Sequence, residues 1–161
     1  MMKRAILAAA LLAAATATAS AEIVFVGTIK ITAVSPQCQN INVNDINQSS
    51  FHPRVAGNAN FSGISWVSNH SARGHGLNGL AFDATFRTVV TGGVGWGDPY
   101  EVDAARRAQI RVLSYTPALA NITNTTPTLT ILGQVRRLFE DPGGLACIAT
   151  FVGTYVKDSN Q

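Results

Sequence analysis

The run Ile23-Val24-Phe25-Val26-Gly27-Thr28-Ile29-Lys30-Ile31-Thr32-Ala33-Val34 sets Ile23, Phe25, Ile29 and Ile31 at alternate positions, with Thr28, Lys30 and Thr32 between them. Successive side chains of an extended chain point to opposite faces. A period of two therefore makes one apolar and one polar face, the pattern of a half-buried β-strand. Ser35-Pro36 ends the run, since proline withdraws a backbone donor. Residues 147–156 alternate in the same way, and the tetrad Phe25-Val26-Gly27-Thr28 recurs there as Phe151-Val152-Gly153-Thr154. Four residues of strand composition recur easily. No period of 20–50 residues accompanies them, which excludes a solenoid or propeller.

Between these two runs the chain continues as strands and turns. Residues 46–54 form a weaker strand candidate closed by Pro53, and residues 61–68 place Ile64 and Trp66 on one face. Residues 77–90 alternate most clearly, with Leu80, Phe82, Ala84 and Phe86 against Ala81, Asp83, Thr85 and Arg87. Thr91-Gly92-Gly93 reads as a break. Asp98-Pro99-Tyr100-Glu101 then has the chemistry of a helix start: a capping acid, proline at the first helical position and an acid three residues after the cap. One or two helical turns to residue 105 are expected, because residues 110–116 alternate again. Residues 126–138 form a further strand with Leu129, Ile131 and Val135 on one side, and Asp141-Pro142-Gly143-Gly144 supplies turn chemistry. About seven strands separated by turn signals predict an all-β chain, a single-domain antiparallel β-barrel or β-sandwich.

The first 21 residues stand apart. Lys3 and Arg4 precede an unbroken run of Ala, Ile and Leu over residues 5–15, and Ala19-Ser20-Ala21 fits the small-x-small cleavage pattern. This is the composition of a cleaved secretory signal peptide, resembling bacterial ones, and the run is far shorter than the roughly 20 residues that span a bilayer. The expectation is a signal peptide over residues 1–21, a single β-domain over residues 22–161, and export to the periplasm or beyond the cell, with no membrane span in the mature chain. An outer-membrane barrel fits poorly, because such barrels carry aromatic girdles at both rims. Here the aromatics are few, and the chain ends Lys157-Asp158-Ser159-Asn160-Gln161.

Cys38 and Cys147 belong to neither a CxxC pair nor a cluster of soft ligands, which excludes the usual structural zinc patterns. In an oxidising compartment they are expected to form one disulfide. Cys38 follows the first strand and Cys147 opens the last. If those two strands are adjacent and antiparallel, the bridge staples the seam where the sheet closes.

Charge and motifs exclude more than they assign. The full chain carries a net charge of +3, but Lys3 and Arg4 lie in the leader, leaving 10 basic against 9 acidic residues. Polyanion binding needs a large excess or a clustered patch, so no nucleic-acid partner is expected. The doublets Arg106-Arg107 and Arg136-Arg137 split between faces in a strand, so neither makes a compact cluster alone, and a solvated rim role is expected for them. No nucleophile elbow, phosphate loop, HExxH or dinucleotide fingerprint occurs, so no catalytic residue, metal or cofactor is expected.

Two function classes stay open. One is an exported non-catalytic β-domain that binds a partner, glycan or small ligand through its loops, or serves a structural role in the envelope. The other is a small periplasmic hydrolase or metal-dependent enzyme using His70, His75 and nearby carboxylates such as Asp83 or Asp98. The five-residue spacing of the histidines matches neither a helix face nor a strand face. Two glycine-rich segments, residues 71–76 and 91–100, read as loops that combine backbone freedom with large or titratable side chains. Arg73, His75, Trp96 and Tyr100 are accordingly the expected binding residues, with Trp96 either a contact or a plug for one end of the barrel.

Overall fold

A computed structural model describes residues 22–58, 60–67, 72–95, 98–101 and 106–159; the leader, residues 1–21, lies outside the described residues. Ten strands form one antiparallel sheet: β1 (Phe25–Val34), β2 (Ile46–His52), β3 (Phe61–Val67), β4 (Ala72–Asn78), β5 (Arg87–Thr88), β6 (Val90–Gly95), β7 (Asp98–Glu101), β8 (Gln109–Thr116), β9 (Thr128–Arg136) and β10 (Ile148–Lys157). Their order across the sheet is β5-β8-β9-β10-β1-β2-β3-β4-β6-β7. Strands β5 and β6 are separated only by Val89, yet the first pairs with β8 and the second with β4. One stretch of chain thus touches both edges of the sheet, and the sheet is nearly closed as a barrel. Closure removes the exposed edges through which open sheets aggregate.

The first and last strands are neighbours: β1 pairs with β10 from Phe25↔Lys157 to Val34↔Ala149, with a bulge at Thr32. The recurring tetrads lie in these two strands, with Thr28 opposite Thr154 and Ile29 opposite Gly153. Alternation holds throughout. Phe25, Ile29, Ile31, Phe51, Ile64, Trp66, Ile110, Leu129, Ile131, Val135 and Phe151 are buried inside. Thr28, Lys30, Thr32, Thr128, Thr130 and Thr154 face outward and are exposed. The barrel is apolar inside, and its outer face mixes these polar residues with exposed Val26, Ile46, Phe61, Val90 and Val156. Among the described residues, no helix is long and apolar enough to cross a membrane.

The interior is filled by pairing large residues with absent ones. A Cβ on Gly133 would lie 2.4 Å from the Phe151 ring, and one on Gly153 would lie 2.5 Å from the Tyr155 ring. These two glycines are therefore required by close approach, and they let the aromatic rings of β10 lie flat within the barrel. Among the described residues the inward side chains form one continuous buried cluster.

Four expectations are corrected. The alternation over residues 77–90 is not a strand: residues 79–86 are irregular, Leu80 is exposed and Phe82 is buried. Phe82 plugs the end of the barrel below β4 and β5, its ring within 6.4 Å of Phe51 and its carbonyl accepting a 2.7 Å hydrogen bond from Tyr115 Oη. A second anchor on the next residue helps hold this segment out of the ladder, since Val112 N donates to Asp83 O. Next, Thr91-Gly92-Gly93 is not a break but part of β6, which forms a hairpin with β7 over Gly92↔Glu101 to Gly95↔Asp98. The helix expected from Asp98 is a strand as far as Glu101, because cross-strand pairing supplies hydrogen bonds that so short a helix cannot. Finally, residues 72–76 are not a loop but the first part of β4, paired with β3 as Trp66↔Arg73 and Ile64↔His75. Glycine weakens a strand on its own, and here both neighbours are ordered strands that hold it in register.

Candidate functional site at one mouth of the barrel

Strand β4 presents alternate residues inward, so Arg73 and His75 both enter the barrel while Gly74 faces out. Arg73 is half-buried and His75 is almost wholly so. The His75 Nδ1 lies 3.0 Å from the hydroxyl of Thr91, its cross-strand partner on β6. Its ring meets the Trp66 ring edge-on at 5.3 Å. Among the described residues, neither His75 Nε2 nor Trp66 Nε1 has a hydrogen-bond partner. Two such atoms in adjoining buried rings are uncommon, because leaving a buried polar group unmet costs roughly 1–3 kcal/mol. Burial, aided by the Arg73 charge, pulls the His75 pKa from 6.5 down to about 3.

That shift has a testable sign. A histidine whose folded pKa lies below its unfolded value favours the folded state least in acid. Its contribution is intact above about pH 6.5 and is lost progressively as the pH falls from there toward 3. Urea unfolding between pH 7 and pH 4 should show stability falling with acid in the wild type and falling less in His75→Gln. Parallel curves would mean that His75 is not held neutral by burial.

The same mouth receives residues from far along the chain. Strand β9 ends at Arg136, whose guanidinium stacks outward over Phe86 at 3.9 Å, while Arg111 lies over the same ring at 4.4 Å. The next residue, Arg137, adopts φ 55° and turns to the mouth. Phe139 and Glu140 follow at φ 52° and 56°. Three left-handed residues that are not glycine, within four positions, store about 1–3 kcal/mol of strain each and persist only where the surroundings hold them. Buried Leu138 is one such anchor. A second is Asp141, buried, whose carboxylate accepts the amides of Gln39 (3.0 Å), Asn40 (2.8 Å) and Gly143 (2.8 Å). Burial pushes this carboxyl up, but the three amides outweigh it and hold it below the ordinary range. The third is the Cys38–Cys147 disulfide, which joins the β1–β2 connection to the β9–β10 connection. The bridge lies where the first and last strands pair, as expected, but not at the closing seam, because the sheet closes through the β5–β6 run instead.

Glu140 reaches back across the mouth to Arg106, with Oε2 2.6 Å from Nη2. Arg106, Arg137 and Glu140 line two spaces. The outer is a recess of about 210 Å³ completed by Asp141 and Gly144. The inner is a pocket of about 10 Å³ completed by Arg73, His75, Thr91, Ala108 and Phe139. Arg73, Arg106 and Arg137 thus line the inner pocket together with Glu140, and the Asp141 carboxylate is satisfied by backbone amides.

Of the four expected site residues, the structure brings Arg73 and His75 together. Tyr100 lies on β7 with its backbone opposite Gly93, and Trp96 lies outside the described residues, as does His70. Among the described residues no three His, Cys, Asp or Glu side chains gather as a metal site. Asp83 sits on the outer surface, paired with Arg87 at 2.7 Å, away from His75. Sequence reasoning missed Thr91, Arg106, Arg137 and Glu140. It did note both arginine doublets; of the second, Arg136 stacks on the outer Phe86 ring while Arg137 lines the mouth. The rim role expected for Arg136 is replaced by stacking on Phe86. The cluster arises from single arginines on three different segments. Compared with family models, curated proteins and solved structures, the chain matches none.

Proposed function

We propose that this protein is an exported, non-catalytic β-barrel that binds a small ligand at the mouth formed by Arg73, His75, Thr91, Arg106, Arg137 and Glu140. The observation that carries this reading is the convergence of these polar groups on one end of the barrel, two of them, Arg137 and Glu140, on a loop held in a strained conformation by a disulfide and a buried carboxylate. Strain of this kind costs stability and is commonest at functional sites. Export is supported by the disulfide, which belongs to oxidising compartments, and by the leader-like residues 1–21. The non-catalytic reading is supported by His75. An imidazole with a pKa of about 3 is a poor general base near neutral pH, where a value close to the working pH is most effective.

A thermal-shift screen over sugars, amino acids, organic acids and phosphates tests this reading. Binding to the native state raises its stability by about 2.7 kcal/mol at a hundred times Kd, a shift of several degrees for a domain of this size. Any compound that stabilises the wild type should lose its effect in the Arg106→Gln/Arg137→Gln double variant. A compound that stabilises both proteins equally binds elsewhere and defeats the reading, as does a screen in which nothing stabilises the wild type.

A further inference from the structure

The outer wall of the barrel is bare in one place. Across β2, β3, β4 and β6, His52 lies opposite Gly63, Gly63 opposite Gly76 and Gly76 opposite Val90. One step along the strands, Ser65 lies opposite Gly74, and its hydroxyl is 3.0 Å from that of Ser50. Elsewhere the outer face carries full side chains such as Thr28, Lys30 and Thr154. Glycine and serine at the outward positions therefore leave a groove of about 380 Å³, walled by Phe61, His52 and Val90. Small-molecule sites occupy roughly 300–1,000 Å³, so the space suits one small ligand.

Glycine inside a strand costs stability and often marks a close approach. A Cβ on Gly63 would lie 2.6 Å from the Phe61 ring and one on Gly76 2.4 Å, so that ring accounts for both. Gly74 is different. It is exposed and its φ is not positive, so its backbone does not call for glycine. A bare floor there leaves room for a second flat ring against the first. Phe61 is set to receive one: it rests on two glycines, meets the His52 ring edge-on at 6.3 Å and stays 39% exposed. Among the described residues that line the groove, none is Asp, Glu, Lys or Arg, so a charged ligand would be desolvated without a counter-charge. One directed polar contact is present. Ser65 Oγ accepts the Ser50 amide at 2.7 Å, and the bond between the two hydroxyls uses only one of their two protons. The other is left to donate to an acceptor. We infer that this groove is a second binding site, on the outer wall, for a small uncharged planar aromatic molecule bearing an acceptor oxygen.

Equilibrium dialysis against 2-naphthol, 2-naphthoate and glucose, repeated on Gly74→Val, Phe61→Ala and Thr130→Val, tests the inference. The wild type should bind 2-naphthol, and should bind the charged 2-naphthoate at least about tenfold more weakly. Valine suits a strand, so Gly74→Val should keep its β-type circular dichroism spectrum while its side chain fills the floor and weakens 2-naphthol binding about tenfold. Phe61→Ala removes the ring contact and should weaken binding roughly three- to tenfold. It decides alone should Gly74→Val lose its spectrum. Thr130→Val, at an exposed position on β9, should bind as the wild type does. Undiminished binding by Phe61→Ala, or by a folded Gly74→Val, puts the ligand elsewhere and overturns the site. Absence of 2-naphthol binding by the wild type overturns the aromatic assignment, and glucose binding that is then lost in Phe61→Ala would make the groove a sugar site instead. Equal affinity for 2-naphthoate overturns the requirement for an uncharged ligand.

Discussion

Replacing Trp66 by alanine should destabilise the folded barrel by about 3–5 kcal/mol, the range for removing a large aromatic from a packed core. No part of Trp66 reaches solvent, and its ring meets His75 and Phe151 edge-on, each at 5.3 Å. Such edge-on pairs contribute roughly 0.5–1.5 kcal/mol beyond the area they bury. The surrounding strands belong to a nearly closed barrel, so they cannot move inward to fill the space, and the cost should lie toward the upper end. Val156→Ala, on the outer face of β10 and 55% exposed, is the control, expected within about 0.5–1 kcal/mol of wild type. Urea unfolding with unchanged m-values measures both. A loss below about 1 kcal/mol for Trp66→Ala would mean that the core around His75 is loosely packed, and the account of the mouth's floor would fall with it.

The second large effect concerns the disulfide. Joining residues 109 positions apart restricts the unfolded chain, and the chain-entropy account puts the stabilisation near 4–5 kcal/mol, with measured values often smaller. The double replacement Cys38→Ser/Cys147→Ser should therefore lower stability by about 2–5 kcal/mol and the melting temperature by roughly 10 °C, with the β-type circular dichroism spectrum retained. The fold should survive because the β1–β10 ladder and the Asp141 contacts with Gln39 and Asn40 hold the same two segments together. A total stability of about 5–15 kcal/mol leaves little margin for both variants at once, so combining them with Trp66→Ala should leave the chain unfolded. Equal stability of the double-serine variant and the wild type would show that the bridge restrains nothing.

Trp66 and the cysteine pair illustrate how far local sequence reaches. Alternation around Ile29, Ile64, Trp66, Ile131 and Phe151 marks the buried faces correctly, because strand geometry puts every second side chain on one side whatever the strand's partners are. The order of the chain also points to this pairing: if the first and last strands are antiparallel neighbours, as β1 and β10 are, a cysteine after the one lies beside a cysteine before the other. Alternation misleads where anchors from elsewhere pull the chain out of the ladder. Phe82 has a strand pattern around it, but its carbonyl is held by Tyr115 and its ring packs near Phe51, on two other strands.

The mouth lies beyond sequence reading for a related reason. Arg73 and His75 are two apart on β4, so their shared face follows from the period of two once β4 is recognised as a strand. Arg106 and Arg137 join them only because the β5–β6 run pairs with both β4 and β8, and that closure is a property of the whole sheet. Glu140 reaches Arg106 from a left-handed backbone that glutamate does not choose, held by Leu138, Asp141 and the disulfide. Strand periodicity and cysteine placement are written within a few residues or in chain order, and so they are legible. A charge cluster assembled across a barrel end depends on which strands meet, and no local pattern records that.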